Sequence, residues 1–106
     1  MKALVVLVTC PTRVSARRIA EALIRRRLAA CVNIMPGLTS VYEWQGKIER
    51  TRELLLVIKT APGSFARVKR AVLGLHPYQV PEVIALPVVQ GHQPYLTWVA
   101  RGSRGS

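Results

Sequence analysis

The chain has 106 residues, half of them apolar, with one Phe, two Trp and three Tyr. That is enough for one domain; it is too apolar for a disordered chain, and its longest apolar runs (Ala3 to Val8, Leu54 to Ile58) are far too short to cross a bilayer. Sixteen Lys and Arg stand against five Glu and no Asp, a formal charge of +11 that draws anions; the basic residues form no clean stripe, so a solvated basic surface is expected and specific nucleic-acid recognition is not.

Lys2 to Thr9 predicts a first strand. It is not read as a secretory leader, because the short apolar run leads into Thr9, Cys10 and Pro11 with no small-residue cleavage pattern. A cytoplasmic location is expected, with both cysteines reduced, since neither a CxxC nor a zinc-type spacing is present. Thr12 after Pro11 suits a helix N-cap, and Ala16, Ile19, Ala20, Leu23 and Leu28 give a helix from about Val14 to Ala29 one apolar face. Arg17, Arg18, Arg25, Arg26 and Arg27 spread around that helix.

A second strand is predicted from about Cys31 to Trp44, interrupted near Pro36 and Gly37, turning at Gln45 and Gly46 into a third from Lys47 to Thr60. Pro62, Gly63 and Ser64 introduce a helix to about Leu75, with Phe65, Val68, Val72 and Leu75 at core spacing. A fourth strand follows from Val83 to Val89, and Pro94 opens a short C-terminal helix, with 101–106 read as a disordered tail. The order βαββαβ predicts one α+β domain over 1–106, a ferredoxin-like sandwich with strand order 4-1-3-2.

The second strand is too long for a compact globule. At roughly 3.3 Å per residue, Val32 to Trp44 reaches about 43 Å, whereas a chain of this length with a radius of gyration near 13 Å is only about 33 Å across. The hairpin is therefore expected to project as an arm. Its Tyr42, Trp44 and Ile48 would stay exposed without a partner subunit, so Tyr42 and Trp44, together with Tyr78 and Trp98, are candidate interface residues.

Topology also assigns neighbours. Cys10 ends the first strand and Cys31 begins the second at the opposite end of the sheet, so they cannot form a bridge within one subunit. The second helix returns the chain to the end where the first strand finishes, which brings His76 and the loop to Glu82 near Cys10. Thiolate with imidazole suits Cu(I), and imidazole with carboxylate suits Zn(II) or Cu(II), so His76, Cys10 and Glu82 are candidate metal ligands. The same histidine also suits a structural role, closing the helix end before Pro77. Arg13 and Arg17, in the first turn of the first helix, oppose the helix dipole and are candidates for holding a small anion. No GxSxG, phosphate-binding loop or paired Asp is present, so an enzyme is not expected.

Five blocks carry a wider likeness: LAACVN (28–33), PGLTSVYEWQGKIE (36–49), LLLVIKT (54–60), LHPYQVPEVIALPV (75–88) and PYLTWV (94–99). In this order and spacing they closely resemble the CutA family of divalent-cation tolerance proteins, over Val5 to Val99. The resemblance implies the ferredoxin-like fold, a homotrimer whose hairpin arms pair across subunits, and weak binding of copper or another divalent cation with His76 of the HPY motif as principal ligand. Leu75 stands where some relatives carry a second histidine, and Val8 where they carry a cysteine. Likeness to the architecture of PII-type signalling trimers implies an alternative, a scaffold holding a small anionic ligand between subunits.

Overall fold

A computed structural model describes residues 2–105. Strand β1 (Ala3–Cys10) leads into helix α1 (Arg13–Arg25), followed by β2 (Cys31–Trp44), β3 (Lys47–Thr60), helix α2 (Phe65–Leu75), β4 (Ile84–Val88) and helix α3 (Gln93–Gly102). The sheet has the order β2-β3-β1-β4 with every neighbouring pair antiparallel, the expected ferredoxin-like arrangement.

Helix α1 begins where Thr12 and Ser15 cap each other. The Ser15 N–H donates to Thr12 Oγ1 (3.1 Å) and the Thr12 N–H to Ser15 Oγ (3.3 Å), which satisfies two donors that a helix start leaves free. The helix ends at Arg25, four residues short of the expected Ala29. Arg27 takes the left-handed conformation (φ 56°), its N–H bonds the Ile24 carbonyl, and the Leu28 N–H reaches back to Leu23. This is a Schellman closure with arginine where glycine is usual, and without a glycine the sequence carried no stop signal. The Arg27 side chain donates onward to the Arg101 carbonyl (3.2 Å).

Pro36 and Gly37 form a bulge: Met35 pairs with Leu55 but Leu38 with Glu53, so β2 carries one extra residue, and Gly37 supplies the positive φ of 87°. Gln45 and Gly46, both at positive φ, make the tight turn that matches strand twist. The arm projects as expected, giving the molecule extents of 45 × 26 × 22 Å.

The two faces of the sheet differ. Even-numbered positions of β1 and of β3 from Leu54 onward, including Val6, Val8, Cys10, Leu56 and Ile58, are buried under α1 and α2 with Ile19, Leu23, Val68 and Val72. The odd-numbered Val5, Leu7, Leu55 and Val57 between them are apolar too, yet only half-buried, and on the flanking strands Met35, Ile84 and Leu86 are about half exposed. Helix α3 covers one end of this second face through Leu96 and Val99, which pack with Ala3, Ala30 and Val88.

The disordered tail expected over 101–106 is corrected over the described residues. Arg101 and Gly102 complete α3, buried Ser103 accepts at its carbonyl from Ser64 Oγ and donates from its hydroxyl to the Val99 carbonyl (2.6 Å), and the Gly105 N–H donates to the Arg27 carbonyl (2.7 Å). Ser106 lies outside the described residues. The fourth strand is a residue shorter at each end than the expected Val83 to Val89.

Candidate functional site

Helix α2 delivers His76 to the end of the sheet where β1 finishes. Its backbone N–H closes the helix on the Val72 carbonyl (2.9 Å), its own backbone is extended, and Pro77 prevents continuation. The imidazole is buried (8 % exposed). Its Nδ1 accepts from the Tyr78 N–H (3.1 Å) and its Nε2 lies 2.7 Å from the Thr9 carbonyl. An amide can only donate and a carbonyl only accept, so the ring carries its proton on Nε2 and gives it to Thr9. Thr9 lies two residues beyond the last β1–β4 pair, Leu7 with Ile84; there the imidazole provides a donor that β4 no longer reaches.

Tyr78 packs its ring on the imidazole at 4.8 Å between centroids and donates its hydroxyl to Glu53 Oε2 (2.6 Å). Glu53 is nearly buried (7 % exposed) at the base of the arm. Burial first, then the hydrogen bond to Glu53 and its negative charge, push the Tyr78 hydroxyl far above the ordinary phenol range. Glu82 lies across the same hollow; partial burial, then the charge of Glu53, raise its carboxyl above the usual value. Thr9, Ser40, Tyr42, Glu53, Tyr78 and Glu82 line a groove of about 530 Å³ between the arm and the 77–82 loop.

The expected ligand trio is only partly assembled. His76 does come beside the end of β1, but both ring nitrogens are engaged, which leaves no lone pair for a metal in this arrangement. Cys10 is fully buried on the helix side of the sheet, and burial, then Glu53, push its thiol up to about 11; a protonated thiol is a poor metal ligand. The soft thiolate–imidazole set that would suit Cu(I) does not fit these residues, and no cluster of three His, Cys, Asp or Glu able to hold a metal occurs among the described residues. Glu82 alone of the three opens into the groove, and its companion there is Glu53, which sequence reasoning missed. The available signal was an acid opening the apolar run Leu54 to Ile58, a place where an acid needs a partner.

Arg13 lines a separate hollow with Arg52, Glu53 and the Pro36–Thr39 bulge, and Arg17 does not line it. Among the expected interface residues, Tyr42, Trp44 and Trp98 are between 43 and 52 % exposed, while Tyr78 spends its hydroxyl inside the subunit. Both cysteines are free thiols.

A family model described as CutA1 divalent ion tolerance protein matches residues 4–102. The chain belongs to this family. It is 54 % identical over 95 residues to the divalent-cation tolerance protein CutA of Thermus thermophilus, covering 90 % of this chain and 92 % of that protein, whereas it spans about half the length of the mouse and human relatives. Solved structures agree on the fold. CutA from Xylella fastidiosa superposes with a TM-score of 0.95 at 42 % identity, over 97 % of this chain and 99 % of that one. A protein from Archaeoglobus fulgidus, described as a periplasmic divalent cation tolerance protein, gives 0.93 at 35 % identity, over 96 % and 99 %. Among the described residues no helix is long and apolar enough to cross a membrane.

Proposed function

We propose that this chain is a non-catalytic divalent-cation tolerance protein that works as a cytoplasmic homotrimer and binds copper(II) or another divalent cation weakly in the groove beneath its arm. The observation that carries the binding reading is the pairing of Glu53 with Glu82. The two carboxyls line one hollow, where partial burial and then the charge of Glu53 raise the cost of charging Glu82, and a divalent cation removes that cost. Oxygen donors from a single chain number too few for tight binding, which fits a role in tolerance better than a resident cofactor. Further ligands would come from water or from a second subunit.

Association is supported by the sheet itself. Strand β1 and positions 54–58 of β3 are apolar on both faces, a pattern of sheets covered on both sides, while α1 and α2 cover one. Arm residues Tyr42 and Trp44, and Trp98 on α3, would extend the same interface. The number three rests on the family likeness alone.

The test is a calorimetric titration with Cu(II) and Zn(II) of the wild-type protein, Glu82→Gln and Glu53→Gln. The reading expects saturable, weak binding that either substitution removes. Undiminished binding in both variants would overturn it.

A further inference from the structure

A second groove, in the helical layer, is built from different chemistry. It is lined by α2, by the turn after α1 and by Gly105, and has a volume of about 350 Å³. Arg26, Arg67 and Arg70 line it together with Leu28, Ala71 and Leu75, and no acidic side chain of the described residues does. The only ion pair among the described residues is Arg25 with Glu21, elsewhere on α1, so three guanidinium groups line one groove without pairing to an acidic side chain of the described residues.

Two further features argue that the groove is more than a solvated surface. Arg67 is held in place: it donates from Nη2 to Ser64 Oγ (3.2 Å), and Gly105 sits so close that an added Cβ there would fall 2.6 Å from Nη1. A guanidinium already anchored by a hydroxyl loses less freedom when its remaining donors take up an anion. Gly74 lies inside α2 on the groove floor, where an added Cβ would meet nothing within 4 Å. Helix propensity disfavours glycine there and packing does not ask for it; its effect is to leave the apolar floor open.

We propose that this groove binds a small phosphate ester carrying a flat apolar group, of the nucleoside diphosphate class, with the phosphates on Arg26, Arg67 and Arg70 and the flat group over Leu28, Ala71, Gly74 and Leu75. Guanidinium forks match phosphate oxygens in pairs, and the volume lies at the small end of ligand pockets, roughly 300–1,000 Å³. Apolar residues beside the arginines suit a ligand with an apolar part better than a bare polymer backbone. The inference is independent of the cation reading and shares no residue with it.

The experiment is calorimetric titration in EDTA with ADP, inorganic pyrophosphate and adenosine, on the wild type, Arg70→Gln, Gly74→Leu and Arg18→Gln, each first checked by thermal melting. ADP is expected to bind more tightly than pyrophosphate, and adenosine not at all. Arg70→Gln should weaken both phosphate ligands on the order of ten-fold, the worth of one charge-assisted hydrogen bond. Gly74→Leu, whose side chain enters open space, should weaken ADP and spare pyrophosphate. Arg18→Gln, away from the groove, should change neither. Absence of saturable binding by both phosphate ligands would overturn the proposal, as would equal losses in Arg18→Gln and Arg70→Gln, which would mean general attraction to a basic surface. Tighter binding of a single-stranded oligonucleotide, insensitive to Gly74→Leu, would assign the arginines to nucleic acid instead.

Discussion

Replacing His76 by alanine separates a structural imidazole from a metal ligand. The ring makes two hydrogen bonds from a buried position, to the Thr9 carbonyl at 2.7 Å and from the Tyr78 N–H at 3.1 Å. Truncation leaves both backbone groups without a partner in a place water reaches poorly. At about 1–3 kcal/mol for each stranded group, His76→Ala should cost roughly 2–6 kcal/mol, a large part of the ~5–15 kcal/mol that holds a typical domain together. His76→Gln, which can still offer a donor to Thr9, should recover part of that. Urea unfolding at one fixed protein concentration gives the difference, because association would otherwise shift the midpoint. Native-state hydrogen exchange gives a local check, since the Tyr78 amide should lose protection in His76→Ala. A loss under about 0.5 kcal/mol, within the range of ordinary surface substitutions, with Tyr78 exchange unchanged, would refute the assignment of both ring nitrogens.

Other consequences concern the groups around it. Cys10, fully buried with its thiol pushed up to about 11, should resist iodoacetamide at pH 8 in the native protein and react on unfolding; peptide mapping that finds native Cys10 alkylated at its unfolded rate would contradict this. The carboxyl of Glu82 is raised in the folded state, so folding favours its protonated form and its ionisation opposes folding above the ordinary value of 4.5. Glu82→Gln should therefore melt higher than wild type at pH 7, with the gap closing below pH 4.5; a gap that persists unchanged in acid would assign it to packing. Tyr78→Phe leaves nearly buried Glu53 without its 2.6 Å donor and should cost about 1–3 kcal/mol in the same unfolding assay, and a neutral outcome would mean that water replaces the phenol freely.

Much of the scaffold was legible because the relevant signals are local. Alternation and turn residues set β2 and β3 at their observed bounds, Pro36 and Gly37 marked the bulge, and Thr12 marked the start of α1. Strand order then put His76 at the end of β1, where it is found. The chemistry at that point was less legible, since residue types name a ligand set but not which lone pairs are already spent. Whether an imidazole is free depends on a backbone amide two residues on and a carbonyl 67 residues away. Glu53 escaped notice because its partner, the Tyr78 hydroxyl, arrives from a loop 25 residues later. The end of α1 was misplaced for the same kind of reason: a left-handed arginine is held there by tertiary contact to Arg101, which no local signal announces. The tail was misjudged because small and basic residues read as solvent-exposed, whereas Ser103 docks on Ser64.

The central claim is that a divalent cation meets oxygen donors in the arm groove while His76 remains a structural group. Electron spin echo modulation of the Cu(II)-loaded protein tests this most directly. Using a His92→Gln background leaves His76 as the sole source of imidazole in the chain. The account predicts no modulation from a remote imidazole nitrogen, and loss of the specific copper signal in Glu82→Gln. Imidazole modulation that disappears when His76→Ala is added would place the metal on His76 and contradict the account.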